Sequence, residues 1–199
     1  MSSRKRSPRG SGEQLRPEII RAAKELMAAA RTADDVSIRA VANAVGVSSP
    51  SIYLHFADKQ ELLTAVVIDV FEELDRVMVA AGESAETPLD RLLAYGMAYV
   101  RFGWEHPEHY RIATMDPCAR PDVDLMLANT CFVHFRDAVE ECIANGDLAD
   151  GDSTLITIEL WSAAHGITAL MVTKPDIPVD DPFAMAERVL VAAAAGHAR

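Results

Sequence analysis

Two histidines three residues apart, His106 and His109, with Glu108 between them and Cys118 downstream, are the side chains of this sequence whose types and spacing suit a metal ion. Pro107 argues against it. Proline opens a helix and leaves the preceding residue outside as a cap, so His106 and His109 need not share a face. The expectation is a structural pair and no metal, with a metal-responsive site as the alternative. Three cysteines, Cys118, Cys131 and Cys142, show no CxxC spacing, which fits reduced and packed thiols better than a disulfide or zinc framework. No glycine-rich phosphate loop, nucleophile elbow or repeated carboxylate-histidine spacing is present, so the sequence predicts neither an enzyme nor a cofactor.

A second set of polar side chains, Arg39, Ser49, Ser51, Tyr53, His55 and Lys59, falls between Val36 and Leu63. Ile38, Val41, Ala42 and Val45 recur at steps of three and four, which makes one buried stripe of a short helix that Ser37 can cap. Gly46 stands where the periodicity stops and supplies the left-handed backbone of a sharp exit, with Val47 to plug the corner. In Ser49-Pro50 the serine reads as the N-cap of a second short helix, Pro50 to about Phe56. Asp58 and Glu61 have capping-box spacing, so a long third helix runs from Lys59 to about Ala81. Helix, glycine turn, helix is the arrangement that reads DNA.

The stretch AVANAVGVSSPSIYLHFADKQELL resembles the N-terminal domain of the tetracycline-repressor (TetR) family: an Ile/Val-Ala pair, Gly-Val-Ser, then Tyr-x-His-Phe-x-x-Lys-x-x-Leu-Leu. The resemblance implies a homodimeric, all-helical transcriptional regulator that binds a palindromic operator in double-stranded DNA and lets go when a small molecule enters its C-terminal domain. It also implies roles. Arg39 stands where the family reaches a guanine, whose two major-groove acceptors match a guanidinium fork. Ser37, Ser49, Pro50, Ser51, Tyr53, Leu54, His55 and Lys59 match DNA-facing positions: the serines can touch bases or phosphates, Tyr53 and His55 hold phosphates, and Pro50 or Leu54 meets a thymine methyl. Lys59, at a helix N-terminus, suits a phosphate. Upstream, Met27 and the segment AAARTADD replace the family's usual phenylalanine and glycine, which puts the geometry of the first connection in question.

The charge is unevenly spread. Residues 1–60 carry ten Lys/Arg against six Asp/Glu, and residues 61–199 carry nine against twenty-four, within a net charge of −11. A basic end on an acidic body steers one face toward a duplex. Residues 1–12 hold Arg4, Lys5, Arg6 and Arg9 without an apolar anchor and read as a disordered basic arm, either a DNA contact or an ordinary terminus. No run of about eighteen uncharged apolar residues is flanked as a membrane span, so no membrane and a cytoplasmic location are expected.

The fold class expected is all-α: a helix-turn-helix DNA-binding domain over residues 13–62, then a larger helical effector-binding and dimerisation domain over 63–199. Pro17 is expected to open the first helix, with Ile19, Ile20, Ala23, Leu26 and Met27 inward. The long helix should bury Leu62, Val66, Val70, Leu74 and Val77. Further helices are expected at Leu89 to His106, Asp122 to Asn145, Asp152 or Ser153 to about Val172, and Pro182 to Ala195. Tyr95, Tyr99, Trp104, Tyr110, Met115, Cys131, Phe135, Trp161 and His165 are the candidates to line a cavity for an apolar or aromatic small molecule, although such stripes are more often plain core. LWSAAHGITAL resembles a Trp-x-x-x-His-Gly signature of one C-terminal branch of the family. Trp161 and His165 share a face, and Gly166 is expected where another helix crosses closely. Ala186, Ala192 and Ala193 would permit close approach at a dimer seam. A helical protein-interaction module remains the alternative from another class.

Overall fold

The computed structural model describes residues 12–30, 35–115 and 131–198, so the basic arm before Gly12, Cys118 and the start of the helix expected at Asp122 lie outside the described residues. Among the described residues every regular element is a helix: α1 Gly12–Ala29, α2 Ile38–Val45, α3 Ser49–Ile52, α4 Lys59–Gly82, α5 Pro88–Glu105, α6 Pro107–Thr114, α7 Cys131–Asn145, α8 Ser153–Thr173 and α9 Pro182–Ala195.

Each start has a local cause. Ser37, Thr87, Asp152 and Asp181 accept hydrogen bonds from backbone N–H groups of the first turns of α2, α5, α8 and α9, with prolines just inside α5 and α9. Asp58 accepts from the Glu61 N–H at 2.7 Å while the Glu61 carboxylate accepts from the Ala57 N–H at 2.6 Å, a capping box that reaches one residue further back than usual. α1 corrects the expected boundary: it begins at Gly12 and carries Pro17 inside. The proline removes a single early donor, and Leu15 gains packing against the core. Ile19, Ala23 and Met27 are buried as expected, whereas Ile20 and Leu26 are only partly so.

α4 has 24 residues, roughly 36 Å at 1.5 Å per residue. It serves both halves of the chain. Leu62, Val66, Val70 and Leu74 are buried, but Val77 is exposed and Met78 takes the inward place. The helix changes neighbours along its length: α1 packs on its early part, while α5 covers Met78 and leaves Val77 on an outer groove beside Ala94 and Met97.

One apolar core runs from Ile19 and Val41 through Val66 and Leu74 to Tyr110, Met171 and Leu190. α8 is long and apolar enough to cross a membrane by length and composition. Here it is a core helix, with Ile156, Leu160, Ala164, Ile167 and Met171 buried against α5, α7 and α9. Close crossings occur at Gly103, where an added Cβ would lie 2.3 Å from Thr168 Cγ2, and at Gly96, 2.9 Å from Leu190 Cδ1. Within the subunit no helix crosses at Gly166 among the described residues. It faces outward, with nothing within 4 Å of the added carbon, because the inward turn of α8 is occupied by Ala164, Ile167 and Thr168.

Candidate nucleic-acid interface and apolar cleft

α2 ends at Gly46, whose φ of 80° and ψ of 26° let its N–H reach the Ala42 and Asn43 carbonyls, and the Val47 N–H returns to the Ala42 carbonyl at 2.9 Å. This fixes the corner between α2 and α3. The cap of α3 is Ser48, not Ser49: Ser48 has the extended backbone, and its hydroxyl pairs with that of Ser51 at 2.8 Å. Regular helix ends at Ile52 rather than Phe56. The N–H groups of His55 and Phe56 both turn onto the Ile52 carbonyl, which tightens the chain so that Ile52 and Phe56 point into the core.

That inward pair sets what faces out. Tyr53 is 53% exposed and Leu54 84%, with Pro50 exposed beside them. Ser37 and Arg39 are exposed at the start of α2, and Ser49, Ser51, His55 and Lys59 are half-buried along the same region. All nine candidates therefore belong to α2, to α3 with its following turn, or to the first turn of α4.

Contacts that join this unit to the remaining helices carry little sequence signal. Lys24 on α1 donates to Asp69 at 2.7 Å and Glu73 at 3.1 Å, both on α4. Burial disfavours its charge, but the two carboxylates outweigh burial and raise its pKa. Arg111 on α6 donates to the carbonyls of Met27 and Ala30 at 3.2 and 3.3 Å, satisfying acceptors at the end of α1. Met27, which stands where the family pattern has a phenylalanine, is buried.

His106 and His109 do meet, with rings stacked at 5.6 Å. His109 Nδ1 lies 3.9 Å from Glu73, and burial followed by the nearby Lys24 charge lowers its pKa. Among the described residues no three His, Cys, Asp or Glu side chains gather as a metal site.

An apolar cleft with about 420 Å³ of empty space, including its opening to solvent, lies between α4, α5, α7 and α8. Of the nine cavity candidates, Tyr95, Tyr99, Cys131, Phe135 and Trp161 line it. Phe71, Met78, Gly96, Phe132 and Ala164 complete the wall. The spacing of Phe71 and Met78, seven apart on one face of α4, was the signal available for them. Tyr110 and His165 stand behind the wall: their side chains meet at 2.8 Å, and Tyr99 reaches the same imidazole nitrogen at 3.1 Å. Trp104 and Met115 do not reach the cleft. Each lies five residues beyond a tyrosine of this cluster, about 140° further round its helix. Trp104 instead packs edge-on to Phe183 of α9, and Met115 ends α6 half-exposed. Burial pushes the Cys142 thiol up to about 12, as expected of a packed cysteine.

Residues 92–193 match the tetracyclin repressor-like C-terminal domain, and residues 19–66 match the bacterial regulatory proteins of the tetR family. The chain belongs to the TetR family. It is a helix-turn-helix transcriptional regulator with the family's N-terminal DNA-binding domain and a larger helical C-terminal domain. An uncharacterized HTH-type transcriptional regulator of Mycobacterium tuberculosis is 29% identical over 75% of this chain and 68% of its own length. An HTH-type regulator of Mycobacterium bovis is 26% identical over 70% of this chain, and the alignment spans only 62% of that relative. Among solved structures, RolR in complex with resorcinol superposes with a TM-score of 0.69 at 19% identity, covering 94% of this chain and 89% of its own, a likeness of fold.

Proposed function

We propose that this TetR-family chain is a repressor that binds a palindromic operator as a homodimer and leaves it when an apolar or aromatic small molecule enters the cleft. The observation that carries the reading is the shared helix: α4 begins beside the reading pair and forms one wall of the cleft through Phe71 and Met78. A molecule that spreads the cleft displaces α4 and, through it, α6, which packs on α4. Lys24 and Arg111 pass that displacement to α1, and so to α2 and α3.

On DNA, Arg39 reads a guanine, Tyr53, His55 and Lys59 hold phosphates, and Pro50 or Leu54 meets a thymine methyl. Ser37, Ser49 and Ser51 supply short hydrogen bonds to the same groove, and the basic arm adds salt-dependent affinity. The dimer seam is the outward face of α8 and α9, where Leu155, Ile158, Leu170 and Val191 are exposed around Gly166 and Ala192. Ala186 is buried within the subunit and takes no part. That RolR carries resorcinol fits an aromatic effector. Selection of bound sequences from random duplexes tests the reading: a two-fold symmetric site with half-sites about 34 Å apart, or a multiple of it, supports it. Enrichment of a single asymmetric motif, or of none, would overturn it.

A further inference from the structure

Behind the cleft, two phenols converge on one imidazole nitrogen. Tyr110 lies 2.8 Å and Tyr99 3.1 Å from His165 Nδ1, and the Tyr110 hydroxyl has a second acceptor in the His165 carbonyl at 3.2 Å. The Tyr99 and Tyr110 rings meet edge-on at 5.8 Å, and the Trp161 ring lies 6.0 Å from that of His165. His165 is disfavoured as a cation by burial, so its ring is neutral and Nδ1 takes part in one good hydrogen bond. It has two partners for that bond. Tyr110 is the nearer, and so Tyr99 is the redundant member: its proton can be withdrawn while Nδ1 keeps a partner. Burial also keeps the Tyr99 hydroxyl protonated, a donor at any ordinary pH.

Tyr99 is also the member of this trio that lines the cleft. Tyr95, the other tyrosine of the lining, lies among Arg91, Glu141, Asp75 and Asp137, on the side where the charged residues are. The remainder of the wall is almost wholly apolar.

We propose that the Tyr99 hydroxyl is the polar handle of the cleft, and that the effector is an aromatic molecule bearing one hydrogen-bond acceptor, a carbonyl or ether oxygen, which takes the Tyr99 hydrogen bond away from His165. This rests on the cleft being the effector site. The exchange exposes no unpaired buried nitrogen, because Tyr110 then holds Nδ1 alone. A hydrocarbon of the same shape leaves the trio as it is and gains packing only.

The test is isothermal titration of the full-length protein with 2-acetonaphthone and with 2-isopropenylnaphthalene, which replaces the carbonyl oxygen by a methylene. The ketone is expected to bind about tenfold more tightly, the scale of one net hydrogen bond in an apolar site. Tyr99→Phe should bring the ketone down to the affinity of the alkene. Tyr110→Phe, which does not touch the cleft, should shrink the preference, because Tyr99 then becomes the sole phenol left for His165. Equal binding of the two molecules by the unmodified protein, or a preference that survives Tyr99→Phe, overturns the handle and leaves the cleft reading standing. Failure of both molecules to bind overturns both.

Discussion

Replacing Lys24 by methionine keeps an unbranched apolar stem, one atom shorter, and removes the charge that ties α1 to α4. Its ammonium makes two charge-assisted bonds with only 16% of the side chain exposed. Well-buried bonds of this kind contribute about 1.5–3 kcal/mol each. Asp69 is 41% exposed, so its share is discounted for solvent screening to roughly 0.5 kcal/mol, and Glu73, at 26%, contributes about 1–1.5 kcal/mol. The two carboxylates, four apart on α4, then repel each other by a few tenths of a kcal/mol. The total is about 2 kcal/mol, which for a chain of this size lowers Tm by roughly 4–8 °C. Thermal denaturation of the two proteins at pH 7 measures it. The pKa of Lys24 is raised on folding, so its contribution is fully present below the unfolded value of 10.5 and is lost as pH rises through the folded value. The melting curves should therefore stay apart across neutral pH and converge in strongly alkaline solution. A Tm change under about 1 °C, or a gap that closes between pH 6 and 8, would refute the reasoning.

Five other substitutions probe three separate parts of the molecule. Arg39→Ala should lose about 1–3 kcal/mol at one operator position and relax the preference there, whereas Lys59→Ala should weaken all duplexes alike; competition binding over a set of single-base variants separates the two. Gly46→Ala should cost about 1 kcal/mol from its positive φ alone, since its surroundings are open, while Gly103→Ala forces a carbon against Thr168 and should cost about 1–3 kcal/mol or more, both read by urea denaturation. Ile158→Lys, on the outward face of α8, should shift sedimentation from dimer to monomer at micromolar concentration; an unchanged dimer would place the seam elsewhere.

The reading pair is legible in the sequence because its punctuation is local. Gly46 needs a left-handed backbone, Pro50 needs the start of a helix, and Asp58 with Glu61 needs a capping box, and each leaves its mark within four residues. The slip from Ser49 to Ser48 is of the same local kind, since proline is tolerated within the first turn, where its missing N–H costs no helical bond. The cleft is harder to read. It is walled by four helices, and which face of each turns inward depends on neighbours that are distant in the chain. Trp104 and Met115 were grouped with it by residue type, yet both fall on the wrong side of their helices. The bonds of Lys24 to α4 and of Arg111 to α1 leave no mark in the sequence, because nothing in a helical period reveals which distant helix will meet a given charge.

The most direct measurement is a titration of the protein against labelled DNA from beside its own gene, and against a scrambled duplex of equal length, at one near-physiological salt concentration. A sequence-reading regulator should bind the native duplex at least about a thousandfold more tightly, with Arg39→Ala abolishing most of that ratio. Equal and weak binding of both duplexes, carried over to a pool of random sequences, would contradict operator recognition by this surface.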